Sequence, residues 1–182
     1  CQVHGRCIRR RAPTLTNRHD AMPAKVFRHQ RRTILIVCEG YAEERLVQYI
    51  RALYLPRPSR LSVHTQNARG GGGKHVLDQA LRIRKRTEYD ELAILADTDQ
   101  DWDNTQRQRA TASRIHALES SPCLEAWLLA ANGHAVKGNG VHIKREFERI
   151  YRAPAHDPAV YPAHFPRAVL DGARPKIKVL DQ

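Results

Sequence analysis

The sequence predicts an α/β layer fold of about four mainly parallel strands flanked by helices. Three observations predict it: two continuous apolar runs of strand length, Thr33 to Cys38 and Leu92 to Ala96; amphipathic helical segments around them; and regular alternation of the two kinds of element. A strand with no polar alternation is buried on both faces, as strands of parallel sheets are once crossover helices cover them.

Each element has its own signal. Thr33-Ile34-Leu35-Ile36-Val37-Cys38 forms the first strand and ends at Glu39-Gly40. Glu43 to Tyr54 places Leu46, Val47, Ile50, Leu53 and Tyr54 at helical spacing, and Pro56 and Pro58 stop it. A short strand over Leu61 to Thr65 precedes the turn-rich Asn67 to Gly73. Lys74 to Arg86 is a helix with Val76, Leu77, Ala80, Leu81 and Ile83 inward and a basic outer face. Glu91 to Ala96 is the third strand, running into Asp97. Thr105 to Ser113 is a polar helix, and Arg114 to Leu118 a fourth strand. Ser121-Pro122 opens a helix that Gly133 closes, and Val141 to Arg152 suits one more. The expected organisation is a basic N-terminal arm over 1–32, an α/β domain over 33–152 and an irregular, proline-rich tail over 153–182.

The 182 residues fit one domain with tails, and 41% hydrophobic content excludes a wholly disordered chain. The net charge of +12 points to a polyanionic partner, nucleic acid first. That charge is uneven: residues 1–32 hold nine basic residues against Asp20, a surplus of +8. The only methionine, Met22, is a candidate translation start, which would leave 1–21 outside the natural protein. No apolar run is long enough to cross a bilayer, and a cytoplasmic location is expected.

Four cysteines without a CxxC pair argue against a disulfide scaffold. Cys1, His4, Cys7 and His19 match no standard zinc spacing. Cys38 and Cys123 read as small buried side chains. His116, His134, His142, His156 and His164 show no paired ligand spacing, and no serine or cysteine nucleophile has an evident base.

The chemistry gathers at two strand ends. The first strand leads into Glu39-Gly40 with Glu43 and Glu44 behind it, and the third into Asp97, Asp99, Asp101 and Asp103 at alternating positions. In open parallel sheets the loops beyond the carboxyl ends of strands converge on ligands. Carboxylates at such density suit Mg²⁺ or Mn²⁺, which take hard oxygen ligands and keep water for substrate phosphates. Acids after strands also cap helices, as Asp103 could for the next helix, and Glu43 and Glu44 could complement a helix dipole. Arg69, Gly72, Gly73, Lys74, Arg82 and Lys85 are candidate phosphate contacts, although the glycine turn lacks the full P-loop pattern.

At these residues the chain resembles the RloB family. The resemblance lies in Ile34 to Gly40 followed by Glu44, the Gly70 to Gly73 turn, Tyr89 to Leu92 leading to Asp97-Thr98-Asp99, and Ser121-Pro122-Cys123-Leu124-Glu125-Ala126-Trp127-Leu128-Leu129. It covers about residues 33 to 132. RloB proteins are small relatives of the Toprim domain and occur with restriction and anti-phage defence systems. The resemblance implies a Toprim-like fold and a site in which Glu39 is general base or metal ligand and Asp97 and Asp99 bind Mg²⁺. Glu44 and Asp101 are further candidate ligands, and Glu125 a supporting residue. Tyr41, Ala42 and Ala96 depart from the family pattern. The expected function is an Mg²⁺- or Mn²⁺-dependent nuclease acting on DNA or RNA, with a defence-system protein as a possible partner. A non-catalytic nucleic-acid-binding protein and a nucleotide-binding domain are the alternatives.

Overall fold

The computed structural model describes residues 31–99 and 101–177, with side chains up to residue 173. The expected arm therefore lies outside the described residues except at its end, as do Cys1, His4, Cys7 and His19. Arg32, expected in the arm, instead opens the first strand, with its guanidinium on Glu91.

Four strands form one all-parallel sheet in the order β2-β1-β3-β4: β1 Arg32–Cys38, β2 Leu61–Asn67, β3 Glu91–Asp97 and β4 Ile115–Ser120. Helices α1 Tyr41–Tyr54, α2 Gly72–Arg84 and α3 Asn104–Ala112 connect them. The central strands β1 and β3 are the apolar runs. Edge strand β2 leaves His64 and Gln66 exposed, as a strand with one free edge can.

The two sheet faces bury different partners. Leu35, Val37, Leu92, Ile94 and Ile115 pack against Val76, Leu77 and Ala80 of α2 and Ala110 of α3. On the other face, Ile36, Cys38, Leu95 and Val63 meet Val47 of α1. The chain after β1 thus turns to one face and the chain after β3 to the other. This is a topological switch point, which leaves a crevice at the carboxyl ends of β1 and β3.

Beyond the sheet come α4 Leu124–Ala131, α5 Gly140–Tyr151, α6 Val160–His164 and α7 Arg167–Ile177. The expected irregular tail is corrected here: residues 153–177 carry α6 and α7 and close a second core. Tyr161, Phe165 and Leu170 pack with Phe147, Leu124, Leu128 and Leu46, and Tyr161 and Phe165 are fully buried. Hydrogen bonds from the Tyr161 hydroxyl to the Ala42 and Ala155 carbonyls, and from Tyr49 to the Phe165 carbonyl, tie this segment to α1. α6 is five residues long and carries Pro162, and Pro166 separates it from α7, so burial of large aromatic side chains supplies the stability that local propensity lacks.

Candidate functional site

The crevice at the switch point is built by backbone first. Glu39 N–H donates to the Leu95 carbonyl at 3.0 Å, and Gly70 N–H to the Glu39 carbonyl at 2.7 Å, which brings the ends of β1, β2 and β3 together. The Glu39 side chain then reaches across: its Oε2 accepts the Asp97 N–H at 3.1 Å. Thr98 N–H donates to the Ser120 and Pro122 carbonyls and fixes the chain leaving β3 beside β4.

The four acids from Asp97 at the end of β3 onward are distributed among four helix N-termini. Asp97 Oδ1 accepts the Leu124 N–H of α4 at 2.9 Å. Asp99 lies against Gly140, the first residue of α5, where a Cβ would stand 2.5 Å from its Oδ2. Asp101 accepts the Lys74 N–H of α2 at 3.2 Å. Asp103 caps α3 by accepting from Thr105 and Gln106. The helices packed around the strand ends draw these carboxylates to different neighbours, and each helix end, rich in unpaired N–H groups, favours the negative charge it receives.

What remains open is a pocket of about 400 Å³ whose walls include Glu39, Glu43, Asp97, Glu125 and Lys144. Glu43 comes from the first turn of α1, where its Oε2 accepts the Gly40 N–H at 2.9 Å. Glu125 is 8% exposed, and its Oε2 has no hydrogen-bond partner among the described residues. Lys144 of α5 places its Nζ 3.5 Å from Asp97 Oδ2, with its side chain 47% exposed. Tyr41 stands exposed at the rim.

The electrostatics follow from crowding acids in a dry place. Burial, then Glu43, Glu39 and Glu125, push the Asp97 carboxyl up to about 8, with Lys144 opposing. Burial also raises Glu39, against the pull of the Asp97 N–H, and Asp99 and Asp101 add to the rise. Glu43 rises by burial as well, against hydrogen bonds from the backbone. Burial disfavours the Lys144 ammonium, yet Glu125 and Asp97 outweigh it and hold Lys144 above the ordinary lysine range.

The expected residues divide accordingly. Glu39, Asp97 and Glu125 line one pocket, with Asp99 near enough to act on Glu39. Glu44 instead turns to β2, where Thr65 and Asn67 donate to it at 3.3 and 3.1 Å. Asp101 serves the α2 terminus. The glycine turn is packed: Gly72 and Gly73 are buried because Asp101 and Trp102 press on them, with Gly72 at φ +76°. The Lys74 N–H is given to Asp101 and does not stand open to a phosphate, while the Arg69 and Lys74 side chains are exposed. Arg82 and Lys85 sit at the far end of α2, and thirteen helical residues from Gly72 amount to about 20 Å. Lys85 lines a second hollow with Arg84 and Arg114.

Sequence reading placed Glu43 in the acidic cluster but took Glu44 as the candidate ligand, and it missed Lys144 as a site residue. The spacing of Gly40 and Glu43, an N-cap with its acid three residues on, was the available signal for Glu43; Lys144, carried in on a distant helix, had none. Cys38 and Cys123 are buried with thiols pushed up by burial, Cys123 to about 12, so neither supplies a thiolate. The five histidines are exposed.

Fold and site together define an α/β protein with a carboxylate-lined pocket at the switch point of a parallel sheet. The chain belongs to the RloB-like family: the family model described as RloB-like protein matches residues 34–148. The match runs past α4 into α5 and so takes in Lys144. No curated protein and no solved structure matches the chain significantly. No helix among the described residues is long and apolar enough to cross a membrane.

Proposed function

We propose that the protein is a Toprim-type nuclease that cleaves phosphodiester bonds of DNA or RNA with Mg²⁺ or Mn²⁺, working in a defence setting beside a partner protein. The observation that carries this reading is the convergence of Glu39, Glu43, Asp97 and Glu125 on one pocket where β1 and β3 end. A divalent ion there would lower the cost of four crowded carboxylates, and Glu125, whose buried Oε2 has no hydrogen-bond partner among the described residues, lines the same pocket.

The donor set fits in charge and chemical type. Among the described residues no three His, Cys, Asp or Glu side chains form a ready-made ligand set. Mg²⁺ does not need one, since it commonly uses one or two carboxylates and keeps several waters. Glu39 and Asp97 are the residues to hold the ion in the pocket, with Glu43 and Glu125 beside them; Asp99, against Gly140, is the further candidate ligand. Such an ion supplies water activation and charge stabilisation at a phosphodiester. Glu39, its affinity for a proton raised by burial, is the group to take a proton from the attacking water. The α4 terminus holds Asp97 in place through the Leu124 N–H.

Labelled DNA and RNA incubated with and without Mg²⁺ or Mn²⁺ test the reading. Cleavage that needs the cation and disappears in Asp97→Asn and Glu39→Gln proteins, both folded by circular dichroism, is the expected result. Equal cleavage by wild type and variants, or salt-sensitive binding without turnover, overturns it.

A further inference from the structure

We infer that Lys144 is a tethered counter-ion of the acid pocket, holding the oxygen of Asp97 that a divalent cation must take over. Both oxygens of Asp97 are engaged: Oδ1 by the Leu124 N–H and Oδ2 by the Lys144 ammonium at 3.5 Å. Lys144 is the lysine that the chain brings into a pocket also walled by Glu39, Glu43 and Glu125, with His156 the other basic side chain among its described walls.

The anchoring of Lys144 suits this role. Its neighbours Ile143 and Phe147 are fixed in the core, so α5 cannot drift. The lysine stem, half exposed, retains the freedom to swing toward solvent. Asp97, by contrast, is 5% exposed and held by backbone, so in an exchange of partners the lysine is the group that moves. Buried carboxylates without compensating charge are costly, which explains why the pocket carries a cation of its own. A counter-ion of this kind keeps the acids assembled before the metal arrives and weakens metal binding by the contact that must be broken. Once displaced, the ammonium stands at the pocket mouth, one positive charge beside an incoming phosphate.

The inference rests on the metal-binding reading above, and one experiment separates their failures. Mn²⁺ is titrated calorimetrically into metal-free wild type, Lys144→Met, Lys144→Gln and Lys144→Arg proteins, and each is melted with and without Mn²⁺. The neutral variants are expected to melt lower than wild type without metal, to bind Mn²⁺ about 5-fold or more tightly, and to gain more in Tm when Mn²⁺ is added. Lys144→Arg, which keeps the charge, is expected to bind as wild type does. Neutral variants that bind Mn²⁺ equally or more weakly overturn the counter-ion role and leave the metal site standing. Absence of Mn²⁺ binding in all four proteins overturns the metal site, and the counter-ion role with it.

Discussion

Asp97→Asn isolates the electrostatic strain of the pocket in metal-free buffer. Asparagine keeps the Oδ1 that accepts the Leu124 N–H and removes the ability to ionise. The Asp97 carboxyl, ordinarily near 3.8, stands at about 8 in the folded protein. A raised acid binds its proton more tightly folded than unfolded, so its stabilising contribution is complete below about pH 4 and is lost as pH climbs toward 8. Between pH 5 and 7 the folded state holds about one more proton there. Wild type should therefore lose stability relative to the variant by about 1.4 kcal/mol per pH unit, about 2.7 kcal/mol over the interval. Glu39 and Glu43 are present in both proteins, so their own titration largely cancels. For a chain of this size the change corresponds to about 5–11 °C in Tm. Urea melts at pH 5, 6 and 7 in the presence of a chelator measure it. Parallel pH profiles for the two proteins would refute the idea that Asp97 carries the strain of the cluster. The same variant is the one expected to lose cleavage, so stability and activity should move in opposite directions.

Two further predictions concern the scaffold. Phe165→Ala empties a fully buried position between Phe147, Tyr151 and Tyr161, and denaturant melts should show a loss of about 3–5 kcal/mol; a loss under 1 kcal/mol would mean that α6 and α7 do not complete the core. Gly72→Ala and Gly133→Ala both force alanine into positive φ, at +76° and +80°, a conformational cost of about 1–2 kcal/mol each, but only at Gly72 does the new Cβ meet the Asp101 carboxylate. The Gly72 variant should be the less stable by urea midpoint, and equal midpoints would remove the packing account of the glycine turn.

Local pattern carried much of the fold. The run Thr33 to Cys38 announces β1 because a doubly buried strand needs an unbroken apolar sequence, and the same logic finds β3 and the acids Glu39 and Asp97 that end them. Helix starts were less legible. The expected Lys74 start of α2 falls at Gly72 and the expected Ser121 start of α4 at Leu124, because the groups that meet those termini, Asp101 and Asp97, lie 27 residues away along the chain.

The sequence by itself determined the parallel α/β core and the chemical type of the site, since both follow from residue identity and short-range periodicity. The tertiary structure decided which acids do which work. Asp97, Asp99, Asp101 and Asp103 look alike in a row, yet the packing of α2, α3, α4 and α5 around the strand ends directs each to a different helix, turns Glu44 away to Thr65 and Asn67, and brings Lys144 in from α5. Charge and hydrogen-bond partners set a carboxylate's role, and partners that distant in sequence exist only once the helices have docked.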